Sequence, residues 1–240
     1  MPSGGEHTLK TLLDVGRKFG HNRCFVSLTV FMIYRYDDLV PYAQALEQMD
    51  KDVADIASGH SDDILWLLQH PPVYTAGTSA QIESHGDTIN GIPLYPVGRG
   101  GQITYHGPGQ VVAYVMMDLR RYRQDVRWFV ETLEHWIMNT LANFGVSAVQ
   151  REGRTGLWVP IRPDYDEKIA AIGVRLRRWV TFHGVCVNVT NDLTPYQNIV
   201  PCGITHHGVT RLETLGCSAS VQDVADVMRQ SFLTTIQDRL

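Results

Sequence analysis

Lysine is nearly missing from this 240-residue chain: Lys10, Lys18, Lys51 and Lys168 are the only four. Cysteine is as sparse, with Cys24, Cys186, Cys202 and Cys217, and no two of them form a C-x-x-C pair. That spacing speaks against a zinc ribbon or a thioredoxin-type site, and the density is too low for a disulfide-stapled secreted domain. Reduced thiols in a cytoplasmic setting are the expectation. Long apolar runs are lacking too. The longest, Phe25 to Tyr34, spans ten positions, against the about 20 that a membrane-crossing helix needs. It also lacks the flanks of a signal peptide and reads as a buried strand. No sign of charge dominates: 21 Lys and Arg stand against 25 Asp and Glu, a net charge of −4. A whole-surface nucleic-acid binder is therefore not expected.

What is present describes a globular enzyme-sized unit. Apolar residues make up 44% of the chain and charged residues 19%, outside the range of intrinsic disorder. The expectation is an N-terminal extension, 1–29, ahead of a single domain, 30–240, large enough to fold without staples. Leu39, Tyr42, Ala43, Leu46, Met49, Val53 and Ile56 recur at steps of three and four, which predicts an amphipathic helix following Asp37-Asp38. A second helix is predicted over Asp125 to Phe144, stopped by Gly145, and a third opens at Ser220 with Asp223 as its capping partner. Ile64–Leu68, Val73–Thr75, Val111–Met117, Ser147–Gln150, Leu157–Ile161, Ile169–Leu176 and Val180–Val189 read as strands, and 77–101 as loop-rich. Helices and strands mix without strict alternation. The fold class is α+β, with a mixed or antiparallel sheet flanked by helices.

Chemistry concentrates in Arg99 to Gln110, reading RGGQITYHGPGQ. Gly100-Gly101 lets the backbone approach a ligand or take a positive φ, and Gly107-Pro108-Gly109-Gln110 has the residues of a type II turn. Between these breakers lie Gln102, Ile103, Thr104, Tyr105 and His106. The segment matches neither a phosphate-binding loop nor a dinucleotide fingerprint. From the residues alone it is either a ligand site or a glycine-rich connection with a satisfied loop histidine.

Pro201-Cys202-Gly203 sets a second cysteine-bearing turn, whereas Cys186 sits in the strand-like Gly184-Val185-Cys186-Val187-Asn188-Val189 and reads as a buried thiol. A cysteine nucleophile works as its thiolate and needs a base or cation beside it. His106, His183, His206, His207 and Lys168 are the candidates. Lys168 opens the apolar run Ile169-Ala170-Ala171-Ile172-Gly173, where desolvation suits a lysine to act as a base. The alternative is an ordinary surface lysine closing the acidic stretch from Asp164. The five tryptophans, Trp66, Trp128, Trp136, Trp158 and Trp179, are scattered and read as packing residues.

The RGGQITYHGPGQ segment resembles the signature of lipoate-protein ligase B-type octanoyltransferases, the lipoyl(octanoyl) transferases. Three further blocks agree in order: Lys168 to Arg177, Phe182-His183-Gly184 with Asn188-Val189, and Ile199 to Ile204 around Cys202. The resemblance runs from about Val30 to the C-terminus and implies the biotin and lipoate ligase fold. It implies transfer of an octanoyl group from octanoyl-acyl carrier protein, held as a thioester on Cys202, with Lys168 as general acid and base and no cofactor or metal. The implied acceptor is a lysine of lipoyl domains of 2-oxoacid dehydrogenases or of a glycine-cleavage H-type protein; neither nucleic acid nor membrane is implied. By matched position the acyl site comprises Arg99, Gly100, Gly101, Gln102, Ile103, Thr104, Tyr105, His106, Ala171, Ile172, Gly173, Gly184, Val185 and Cys186.

A thioester donor and a cysteine acceptor exchange like for like, so the acyl group stays activated without ATP. The tail offers about seven apolar carbons, worth about 5 kcal/mol at ~0.8 per buried methylene. Arg211 stands where the family often has serine, and Ala171 and Cys186 are small variants at acyl-site positions. Two arginine clusters, Arg120, Arg121, Arg123, Arg127 and Arg175, Arg177, Arg178, are candidates for docking an acidic carrier protein. The runner-up activity is an ATP-dependent lipoate or biotin ligase, which would need no cysteine.

Overall fold

The structure, a computed structural model, describes residues 31–82, 86–199 and 207–240. Its larger sheet runs in the order β1 (Phe31–Leu39), β2 (Asp63–Gln69), β7 (Gln110–Met116), β11 (Val180–Asn188), β10 (Tyr165–Arg177), β9 (Arg154–Arg162) and β8 (Val149–Arg151), with β12 (Gly208–Val209) paired to β10. The β1–β2 and β10–β12 pairs are parallel and the rest antiparallel. A smaller sheet orders β4 (Thr88–Ile89), β5 (Ile92–Pro96), β3 (Val73–Ala76) and β6 (Ile103–His106). The expected mixed α+β architecture is what forms.

The period of two along the central strands divides the interior. Leu65, Leu67, Val111, Ala113, Val115, Val185 and Val187 face α2 (Val126–Ala142) and α3 (Val221–Asp238) in the main core. Ile64, Trp66, Leu68, Val112, Tyr114, Met116 and Cys186 face the other way, under α1 (Tyr42–Ser58). Strands covered on both faces read as continuous apolar runs, which is why β2, β7 and β11 stand out in the sequence. The third cluster, with Tyr74, Ile103, Tyr105 and Tyr196, lies at the smaller sheet.

Local signals end the helices as expected. Ser220 and Asp223 form a reciprocal capping box on α3, and Asp125 caps α2 through the amides of Arg127 and Trp128. Gly109 has φ +88°, and the Gln110 amide bonds the Gly107 carbonyl at 3.2 Å, the geometry of the anticipated type II turn.

Three expectations need correction. The first helix does not follow Asp37-Asp38 directly: β1 continues through both to Leu39, and α1 begins at Tyr42 after Pro41. Leu39 is 43% exposed, so its place in the helical periodicity was coincidental. The loop-rich stretch 77–101 also holds two short strands that the sequence did not mark, β4 and β5. The expected strand Ser147–Gln150 forms as β8, Val149–Arg151, shifted toward the β8–β9 hairpin. Of the run Phe25 to Tyr34, only Phe31 to Tyr34 lies within the described residues, and there it is part of β1.

Candidate active site

A cavity of about 250 Å³ opens between β10, β11 and the segment 99–104. Its volume lies just under the ~300–1,000 Å³ usual for small-molecule sites. From β10 it takes Lys168, Ala171, Ile172 and Gly173, and from β11 Cys186 and Asn188.

A bulge puts Lys168 there. Lys168 pairs with Trp158 and Ala170 with Leu157, so two steps on β10 match one on β9. Ile169, Ala170 and Ile172 all enter the α2/α3 core, while Ala171 packs on the opposite side. Strict alternation counted back from Ala170 would send Lys168 into that core. The extra residue turns it to the cavity face, where it is 5% exposed.

Ala171 and Cys186 are direct cross-strand partners, and so are Gly173 and Gly184. Two small side chains side by side leave the cavity its depth. Gly173 also makes room for Arg99: a Cβ there would stand 2.9 Å from Arg99 Cδ and 3.2 Å from the Gly100 carbonyl. Gly184 admits β7 closely, since a Cβ would run into the Ala113 carbonyl.

Arg99 stitches the RGGQ segment into a ring. Its Nη2 donates to the Thr75 carbonyl at 2.6 Å and hydroxyl at 2.7 Å, and its Nη1 donates to the carbonyls of Gly100 at 3.0 Å and Gln102 at 2.9 Å. The Gly100 amide bonds the Val174 carbonyl on β10 at 2.9 Å, and Gly101 takes φ +89°. Arg99, Gly101, Gln102, Ile103 and Thr104 line the cavity, with Gly100 closing the loop beside them.

The other anticipated residues support rather than line. Tyr105 packs against Tyr74 and Tyr196 in the small-sheet cluster. His106 is buried; its Nδ1–H donates to Gln110 Oε1 at 2.8 Å, because the Gln110 amide group is itself donating to Asn188 Oδ1 at 2.8 Å. Burial first, then the neighbouring His70, pushes His106 down to about 3, so it is neutral at pH 7. Val185 faces the α2/α3 core. Cys202 lies outside the described residues, as does His206.

Asn188 and Tyr196 also line the cavity. Asn188 Nδ2 donates to the Thr210 carbonyl at 3.0 Å, and the Thr210 amide donates to the Lys168 carbonyl at 2.9 Å. Asn188 thus ties the chain after β12 to the strand that carries Lys168. Ser79, Gly153, Arg154, Thr155 and Val209 complete the wall. Asn188 was visible in sequence only as part of a block; nothing marked Arg154 or Tyr196. Among the described residues no group of His, Cys, Asp or Glu is placed to hold a metal ion, and no helix is long and apolar enough to cross a membrane.

Four of the seven arginines in the two clusters have carboxylate partners. Arg120 pairs with Asp118 at 2.7 Å, Arg121 with Asp63 at 3.4 Å, Arg123 with Asp125 at 3.3 Å and Arg177 with Asp50 at 2.9 Å.

Residues 41–233 match the model of the lipoyl protein ligase A/B catalytic domain, and the chain belongs to that family. Solved structures agree on the fold. A lipoate-protein ligase A bound with ATP superposes with TM-score 0.65 at 17% identity, over 86% of this chain and 85% of that one. A bipartite lipoate protein ligase from Thermoplasma acidophilum gives 0.64 at 18%, over 83% and 82%. Within the family, the chain is 54% identical to an octanoyltransferase of Bradyrhizobium sp. over 82% of its length and 83% of the relative's. It is 51% identical to an octanoyltransferase of Cereibacter sphaeroides, over 81% and 92%.

Proposed function

We propose that this protein is an acyltransferase that moves an octanoyl group onto lipoyl domains, the first step of building lipoyl groups in place. Relatives of that name at about half identity over most of both chains support the activity. The observation that carries the chemistry is the bulge that turns Lys168 out of the core and into a cavity floored by Ala171 and Cys186. The catalytic unit is the single domain 30–240, and its donor is octanoyl-acyl carrier protein. The acceptor is a lysine of a 2-oxoacid dehydrogenase lipoyl domain or a glycine-cleavage H-type protein. Thiols at Cys186 and Cys217 suit a reducing cytoplasm.

Cys202 is the nucleophile in this reading. Tyr196 and Val209, before and after it in the chain, both border the cavity. The Cys202 sulfur attacks the donor's thioester carbonyl and its proton passes to Lys168 Nζ. Lys168 returns that proton to the departing carrier thiol, leaving octanoyl-Cys202. The acceptor amine then attacks, gives a proton to Lys168 and forms the amide, and the proton goes back to the Cys202 sulfur. Thioester replaces thioester before amide forms, so no ATP is consumed. Backbone and side-chain groups of Arg99, Gly100, Gly101, Gln102, Ile103, Thr104, Ala171, Ile172, Gly173, Gly184 and Cys186 shape the tail's slot, with Tyr105, His106 and Val185 holding that shape from behind.

Intact mass spectrometry after mixing with octanoyl-acyl carrier protein, without ATP, tests this. Wild type gains one octanoyl group and passes it to an added lipoyl domain, Cys202→Ala gains none, and Lys168→Met acylates ~10²–10⁴-fold more slowly. Modification of the lipoyl domain only when ATP is supplied would overturn the transferase in favour of the ligase.

A further inference from the structure

Trp158 stands on β9 directly across from Lys168 on β10. Its sequence neighbours Leu157 and Val159 enter the α2/α3 core, while Trp158, 2% exposed, is packed on the opposite face. Lys168 Nζ lies 5.1 Å from the centroid of the indole, inside the ~6 Å reach of a cation–π contact. The indole N–H donates to the Arg154 carbonyl at 3.1 Å, which fixes the plane of the ring. The Arg154 guanidinium carbon stands 5.7 Å from the same ring, and the His207 ring meets it edge-on at 5.7 Å. A Cβ at Gly156, two residues before Trp158 on β9, would come 2.7 Å from Lys168 Cε and 3.2 Å from Nζ. The lysine chain therefore lies against both the Trp158 ring and the bare backbone of Gly156.

A tryptophan that only fills the core has no need of this arrangement. A long flexible lysine does, because a proton carrier must stand at one place to meet a sulfur and then an amine. We infer that Trp158 is a positioning residue for the reaction, holding Lys168 Nζ at the cavity wall with its indole face while Gly156 leaves room for the lysine chain. The inference rests on the reading of Lys168 as the proton carrier. It assigns to a residue that the sequence marks only as packing material a part in each proton transfer.

A double-mutant cycle separates positioning from packing. Steady-state transfer from octanoyl-acyl carrier protein to a lipoyl domain is measured for wild type, Trp158→Leu, Trp158→Phe, Lys168→Met and the two double variants. Trp158→Leu is expected to lower kcat by about tenfold or more, with KM for donor and acceptor within about twofold. Trp158→Phe, which keeps a weaker π face and most of the packing, recovers part of that loss. In the Lys168→Met background neither substitution slows the reaction further. If Trp158→Leu does not fold, the Phe variant carries the cycle alone, with a smaller loss that vanishes without Lys168. Equal fold-losses with and without Lys168 would overturn the inference and leave Lys168 as the base. A wild-type rate in Lys168→Met would overturn the reading of Lys168, and this inference with it.

Discussion

At the residue scale, the depth of the cavity comes down to two small neighbours. Ala171 and Cys186 pair across β10 and β11, and both line the cavity. Cys186 is 4% exposed and lies on the α1 side of β11, so a larger side chain there has the cavity as its free space. Cys186→Leu is expected to shorten the slot rather than close it. Each methylene denied burial costs about 0.8 kcal/mol, so losing two or three lowers kcat/KM for octanoyl donors by roughly 15- to 60-fold. Hexanoyl and butyryl donors are affected far less. Competition assays with a mixture of acyl-carrier thioesters of different length measure this directly. A length profile identical to wild type would place the end of the tail somewhere other than Cys186.

At the scale of single elements, much of the fold was readable because local chemistry and burial agree. α3 is an example: Ser220 and Asp223 announced its start, and the capping box forms with the Asp223 amide 3.1 Å from the Ser220 hydroxyl. Ser220→Ala should cost about 1 kcal/mol, a drop of a few degrees in Tm for a chain of this size. Transfer activity should not change, since α3 packs behind the main core. A loss of activity at unchanged Tm would show that α3 reaches the site. The apolar runs of β2, β7 and β11 and the Gly107–Gln110 turn were legible for the same reason. The bulge was not. Periodicity in Ile169 to Ile172 cannot reveal that one residue on β9 will face two on β10, and that count decides whether Lys168 meets core or cavity. Trp158 was hidden by the same register, being ten positions from the lysine it faces. In RGGQITYHGPGQ the gathering of glycines and polar side chains was legible, but not which of them border the cavity. Ile103 and Thr104 reach the cavity, while the next residues on β6 turn to the small-sheet cluster and to Gln110. Only the placement of β6 beside β3 sorts them.

At the scale of the whole molecule, the interior around the site is built on neutral histidines, and this sets how stability responds to acid. His70, His106 and His183 are all buried. Burial pushes His70 down to about 4, and burial with neighbouring cationic groups pushes His106 and His183 down to about 3. The contacts accommodate the neutral form: His70 Nδ1–H donates to the Val40 carbonyl, and the unprotonated Nε2 accepts from the Tyr114 hydroxyl at 2.7 Å. An unfolded histidine titrates near 6.5, so below that pH the unfolded chain binds protons that the folded chain refuses. Each of the three therefore contributes stability that is present above about pH 6.5 and is lost as pH falls toward the folded values, at up to about 1.4 kcal/mol per pH unit. Asp63 works in the opposite sense. Burial raises it to about 6, against hydrogen bonds from the Asp118 amide and the Tyr122 hydroxyl, so its folded form gains protons first as pH falls. Asp52 and Glu134, also raised by burial, add to it at lower pH. Three groups against one leave a net loss, and urea midpoints should fall steadily from pH 7 to pH 5. Asp63→Asn keeps an acceptor for the Asp118 amide and presents its NH2 group to the Tyr122 oxygen, but removes the proton that offsets the histidines. Its midpoint should therefore fall more steeply than wild type over the same interval. A flat profile for the wild type, or parallel slopes for the two proteins, would mean that these buried groups do not hold the charge states their surroundings dictate.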